Sequence, residues 1–263
     1  QFLSELAKVS GIVRVGKPEV RGSVVRIIAI HAMPPRTPAA EDLIHRIRAL
    51  AAPSGTLIGG VAADYTDSQG GIESTLPWVI GWIIFTVLIL LFIFTGSILL
   101  PLKAILLNFA SLAATMGLLT AIFIKDQFRF LVGDFTNTGT LDTSSVVLIA
   151  IVAFGLSMDY ELFLLSRIKE EHEAGKSNIE SVATGLQRSA RIITAAAGLL
   201  AIVFASFMLS GVTSIKMLGF GVAFAILLDA SLVRALLVPA LMRLFGERNW
   251  WAPKALKRFT ISH

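Results

Sequence analysis

Five apolar runs of about bilayer length limit what this chain can fold into. They fall at residues 77–100, 101–124, 143–165, 192–210 and 217–241, and a helix needs roughly 20 such residues to cross the hydrocarbon core. Lipid offers the backbone no hydrogen-bond partner, so runs of this kind are expected to be helices. A soluble domain carries about 25% charged residues, whereas this chain has 16% and is 55% hydrophobic. The expected fold class is a membrane all-α helical bundle in the cell membrane. The second run follows the first almost without a loop, which puts Pro101 in a tight turn where its missing amide donor costs little.

Residues 1–71 are water-compatible and read as part of an extracytoplasmic α/β domain. An alternating stretch from Ser23 to Ala32 suggests a strand, and Pro34, Pro35 and Pro38 mark a turn. Leu43, Ile44, Ile47 and Leu50 then repeat with helical period, with Glu41 and Asp42 in the first turn,. A second short strand is expected over 56–62. Strand, helix, strand is an incomplete layer. Gln1 opens the chain without a basic-then-apolar leader,, and an amino-terminal portion of the protein is expected to precede it.

Basic residues orient the bundle. The stretch 166–191 holds Arg167, Lys169, Lys176, Arg188 and Arg191, and the tail 246–263 is also basic. Both lie on one side if all five runs span, and that side is expected to be cytoplasmic. The same bias accounts for the net charge of +5 without nucleic acid as a partner. Ile179, Val182, Ala183 and Leu186 share one helical face, and Ser177 with Glu180 has capping-box spacing,. A cytoplasmic interfacial helix near 178–190 is expected there. With no cysteine, disulfides, thiolate metal sites and cysteine nucleophiles are excluded; no metal or cofactor is expected.

A charge inside a span costs about 2.5–3.5 kcal/mol on insertion scales, so Asp159, Glu161, Asp229 and Arg234 require reasons to be there. Successive helix residues diverge by about 100°, so Asp159 and Tyr160 must meet different partners. A carboxyl held away from water can load and release a proton near neutral pH, and the alternative role is hydrogen bonding between helices. Glu161 is expected nearer the cytoplasmic interface, within reach of Arg167 or headgroups. In an α-helix Asp229 and Arg234 lie about 140° apart, so they are not expected to pair. Asn108, Ser111 and Thr115, and separately Ala197, Ala201 and Ala205, form ridges suited to helix packing,.

The string Phe154-Gly155-Leu156-Ser157-Met158-Asp159-Tyr160-Glu161, continuing through Arg167 to Glu171, closely resembles the MMPL family within the resistance-nodulation-division superfamily. Gly59-Gly60, Pro101-Leu102-Lys103-Ala104 and Leu228-Asp229-Ala230 with Arg234 and Pro239 agree. Thr95-Gly96-Ser97 departs from the pattern, because many relatives have an arginine before the serine. The resemblance implies the second half of a twelve-span transporter, with 1–71 part of a porter-like domain and the N-terminal half as a partner. It also implies that Asp159 and Tyr160 form a proton relay with a similar pair on the fourth helix; Glu161 and Asp229 are candidate accessory groups from their own positions inside the spans. The implied function is proton-motive-force-driven export of lipids or other hydrophobic compounds, rather than an enzyme activity. Two alternatives are a non-transporting sensor of the same superfamily and an intramembrane aspartyl protease. The latter is disfavoured because Asp229 and Pro239 share one helix.

Overall fold

The computed structural model describes residues 2–137 and 139–253. Its chain divides into two compact units, one up to Val79 and one from Ile80 onward.

In the first unit, α1 (Phe2–Leu6) precedes four short strands, β1 (Ile12–Val15), β2 (Glu19–Arg21), β3 (Val24–Arg26) and β4 (Ala29–His31). β2 and β3 form an antiparallel hairpin, with Arg21 opposite Val24 and Gly22 at φ 60° in its turn. β1 pairs antiparallel with β4 in a separate sheet. The expected strand at 23–32 is thus split between two sheets. The expected strand at 56–62 does not form: residues 56–59 are irregular and a helix begins at Val61. Gly55 and Gly60 adopt φ of 83° and 113°, outside the strand region open to L residues. The anticipated strand–helix–strand layer is therefore absent among the described residues.

Helix α2 (Pro38–Arg48) starts where Thr37 accepts a hydrogen bond from the Ala40 amide and Pro38 occupies the first turn,. Its buried face of Leu43, Ile44 and Ile47 packs with Leu6, Ala62 and Ala63. Arg48 grips Asp67 through both carboxylate oxygens at 2.5 and 2.8 Å.

The second unit is the helical bundle. It is built from the later part of α3 (Val61–Thr95), α4 (Leu99–Phe123), α5 (Thr143–Glu173), α6 (Asn178–Ser206), α7 (Thr213–Leu228) and α8 (Val238–Phe245). Nine residues, Asp229–Leu237, join α7 to α8 as a π-helix. Among the described residues, five helical stretches are long and apolar enough to cross a membrane, which makes the chain a multi-pass membrane protein. Pro101 is the third residue of α4, a position whose amide has no intrahelical partner in any case.

The expected interfacial helix near 178–190 is not a separate element. Ser177 caps α6 with the anticipated Glu180 capping box, but no breaker lies between Leu186 and Ile192. The amphipathic turns therefore run directly into the span. Residues 246–250, expected as part of a basic cytoplasmic tail, form a 3-10 turn whose Asn249 is fully buried. Residues 254–263 of that tail lie outside the described residues.

Lipid tails are as apolar as leucine, so close packing and polar contacts hold such helices together. A Cβ on Gly185 of α6 would lie 2.7 Å from Ile168 Cγ1 and 2.9 Å from Ile168 Cα on α5, and one on Gly219 of α7 would lie 2.6 Å from the Phe204 carbonyl oxygen. Ala197 and Ala201 are buried, as are Asn108, Ser111 and Thr115, and both ridges serve helix packing. Two apolar cores result. One gathers Leu100, Leu164, Ile168, Val182 and Met242, and the other gathers Leu119, Ile122, Ile149, Phe220 and Val222. On α5 and on the last span, the ionisable residues fall between the stretches that feed these two cores.

Candidate functional site

The π-helical segment builds the site. Its i→i+5 hydrogen bonding, marked by the Val238 amide bonding to the Val233 carbonyl, stacks residues five apart instead of the four of an α-helix. Asp229 and Arg234 are five apart, so their side chains share a face and form an ion pair within the bundle. This corrects the expectation that they do not pair, which assumed 100° per residue throughout. Arg234 is 2% exposed and Asp229 is 6% exposed.

Helix α5 supplies the other half. Ser157 and Glu161 are one turn apart and both buried,. The Ser157 hydroxyl donates to Asp229 Oδ1 at 2.8 Å, and Arg234 Nη2 donates to the Ser157 carbonyl oxygen at 2.7 Å. Glu161 places Oε2 3.9 Å from Arg234 Nε, an atom that is buried and makes no hydrogen bond. The guanidinium carbon lies 5.0 Å from the centre of the Tyr160 ring, a cation–π arrangement. One guanidinium thus answers two carboxylates and a phenol ring from two helices. Leaving either charge unpaired in this setting is far costlier than keeping both.

Glu161 therefore does not face the interface or Arg167, as the sequence had suggested. Arg167 instead bonds Glu170 at 2.9 Å. Asp159 was expected to be buried, but within this chain it is exposed on the opposite face of α5 from Ser157 and Glu161. Among the described residues it forms no hydrogen bond or ion pair. Asp159 and Tyr160 do diverge as anticipated, because Tyr160 turns toward Arg234 and Asp159 turns outward. Both oxygens of Asp229 are engaged by Ser157 and Arg234. No shared-proton pair of Asp159 with Asp229 exists, which removes the geometry that an aspartyl protease needs.

Sequence reasoning missed a second polar cluster at the end of the bundle where α4 begins and the last helix finishes. Lys103 of α4 is buried. Its ammonium donates to Asn249 Oδ1, lies 3.5 Å from the Leu241 carbonyl oxygen and sits 3.9 Å from the centre of the Phe245 ring. Asn249 in turn donates to the Met242 and Gly246 carbonyls at 2.6 Å each, and its own carbonyl accepts from Ser97. Asn178, which opens α6, accepts from Trp250 Nε1 at 3.2 Å, and Trp250 stacks on His172 of α5. The turn at 246–250 thereby ties the last helix to three others. Lys103 follows a proline in a recognisable string, but its partner lies 146 residues away, beyond any local signal. No group of three metal-ligating side chains occurs among the described residues.

Residues 22–260 match the model of the MMPL family. The chain belongs to the MMPL family. It is 41% identical to a putative membrane protein of Streptomyces coelicolor over 84% of this chain and 31% of that protein. It is 40% identical to the trehalose monomycolate exporter MmpL3 of Mycobacterium tuberculosis over 83% of this chain and 23% of the exporter. A third relative is the mycolic acid-containing lipids exporter MmpL11 of Mycolicibacterium smegmatis, 33% identical over 97% of this chain and 27% of the exporter. The chain thus spans between about a quarter and a third of the length of these relatives. The two named MMPL relatives are exporters rather than enzymes.

Proposed function

We propose that this chain is part of an MMPL transporter that exports a lipid or another hydrophobic compound, driven by protons moving through the bundle. The observation that carries the reading is the buried Asp229–Arg234–Glu161 cluster, joined to Ser157 and Tyr160 of α5. Ionisable groups inside a span mark proton relays and substrate paths by default. Two relatives carry names of lipid exporters, which supports the substrate class.

In this mechanism Asp159 and Tyr160 form the entry to the relay. Asp159 faces away from the cluster, and its partner is the N-terminal half of the transporter, against the exposed face of α5. Tyr160 lies over Arg234, so a change of charge at the pair alters the field at the guanidinium. Arg234 then shifts its allegiance between Asp229 and Glu161, and protonating either acid frees it for the other. The π-helix gives that shift a mechanical outlet. Its wide turns have a neighbouring α-helical register, and a change of register rotates Asp229 and Arg234 relative to α5. Each proton crossing the full field supplies about 2.3 kcal/mol per 100 mV, comparable to the cost of altering one buried polar contact.

The accompanying topology places residues 1–71 outside as part of a porter-like domain. Residues 72–245 span the membrane, and 246–263 lie on the cytoplasmic side. The test is Asp159→Asn in the intact transporter, with lipid export and protein abundance measured together. Loss of export at normal abundance is expected. Export at the unaltered rate overturns the relay.

A further inference from the structure

Lys103 is a buried cation with no carboxylate within ion-pair distance among the described residues. Its contacts are Asn249 Oδ1, the Leu241 carbonyl and the Phe245 ring, all of them neutral. Glu161 is a buried acid with no hydrogen bond among the described residues, 3.9 Å from its one cationic neighbour. The two residues come from different helices and line the same small cavity. Leu100, Leu107, Leu165 and Val238 make its apolar walls. At about 10 Å³ it has room for roughly one water molecule,. A water is stable in such a space only when it has polar partners, and Lys103 and Glu161 are the ionisable residues in the lining.

The cavity therefore connects the ion cluster to the end of the bundle held by the 246–250 turn. The charged and titratable groups facing Glu161 are Arg234, paired with Asp229, from the π-helix and Lys103 from α4, with Tyr160 adjacent on its own helix. Among the described residues, the groups that Lys103 meets on the last helix and its terminal turn are neutral. This asymmetry gives the route a direction, because an acid on one side of the water meets a base with no competing counter-ion on the other.

We propose that Glu161, this cavity and Lys103 form the cytoplasmic branch of the proton path. Lys103 gives a proton to cytoplasmic water and becomes a neutral amine. The cavity water then gives it a replacement while taking the proton of protonated Glu161. The ammonium and the water are regenerated, Glu161 is left as a carboxylate, and one proton has moved from the cluster to the cytoplasm. The proposal rests on the relay reading above, and its test separates the two.

The test uses the intact transporter in proteoliposomes with a pH-sensitive dye inside, and compares wild type, Asp159→Asn, Lys103→Met and Leu107→Phe. Lys103→Met keeps the length of the side chain and removes its proton. Leu107→Phe keeps Lys103 and fills the cavity. Both are expected to slow proton flux at least tenfold, and Lys103→Arg is expected to recover part of it. Binding of the hydrophobic substrate should change less than twofold in each. If Lys103→Met fails to fold, Leu107→Phe decides alone. Wild-type flux in a folded cavity or lysine variant, with flux abolished in Asp159→Asn, overturns the cytoplasmic branch and leaves the relay standing. Wild-type flux in Asp159→Asn overturns both.

Discussion

Removing Arg234 tests the energetics of the site. Arg234→Met retains much of the apolar stem and deletes the guanidinium. It leaves Asp229, 6% exposed, with only the Ser157 hydroxyl as a partner, and Glu161 with no nearby cation except across the cavity. Breaking one member of a buried pair costs about 3–5 kcal/mol in soluble proteins. Helices still embedded in a micelle find substitute polar partners in the unfolded state, so a loss of about 3 kcal/mol is expected. Asp229→Asn alone keeps a group that can accept from Ser157 but leaves the guanidinium with Glu161 as its one carboxylate among the described residues, and about 2 kcal/mol is expected for it. The double variant removes both charges of the pair. It should cost about 2 kcal/mol, well short of the sum of the single losses, with a coupling near 3 kcal/mol. The assay is reversible unfolding of the four proteins in mixed micelles with increasing denaturing detergent. Additivity of the two single losses to within about 0.5 kcal/mol would show that the pair does not exist, and with it would go the assignment of the π-helical face.

Three further outcomes follow from the same geometry. Inserting an alanine between Ser231 and Leu232 sets Asp229 and Arg234 six residues apart, off a common face in either helical register, and is expected to abolish export while the protein still inserts; unchanged export in a correctly inserted insertion variant contradicts the role of the shared π-helical face. Gly185→Leu drives a side chain into the Ile168 backbone, where even a Cβ would lie 2.9 Å from Cα, and is expected to lower stability by more than about 2 kcal/mol, read in the same micelle unfolding assay against Gly198→Leu, whose Cβ meets nothing within 4 Å. Asn249→Ala takes the carbonyl from a buried ammonium and empties the site that binds Met242 and Gly246, with an expected loss of about 2–3 kcal/mol and faster proteolysis at the 246–250 turn; an unchanged cleavage rate speaks against the turn as a tie between helices.

The spans were legible because lipid leaves the backbone one solution and hydropathy reports it directly. Helix ends were less so. The stretch 178–190 is amphipathic by composition, but periodicity carries no mark for where a helix leaves the membrane, and with no breaker before Ile192 the chain simply continues as α6. The strand expected at 56–62 failed where glycines at 55 and 60 allow backbone angles that other residues avoid.

The site was half legible. Ser157 and Glu161 stand four apart, a spacing that places them together on any α-helix, whereas Asp229 and Arg234 stand five apart and looked separated. The missing signal was energetic: two opposite charges in one span, neither with an obvious partner, are most cheaply reconciled by a local π-helix. Lys103 and Asn249 were illegible for another reason, since their contact depends on how the last helix closes against the start of α4.

The central claim is that proton movement through α5 and the π-helix drives export. The most direct measurement is lipid flux from proteoliposomes holding the intact transporter, with a proton gradient imposed and then collapsed by an ionophore. The account requires flux that falls at least tenfold on collapse in the wild type and is already at that floor in Asp159→Asn. Flux that is equal with and without the gradient contradicts it.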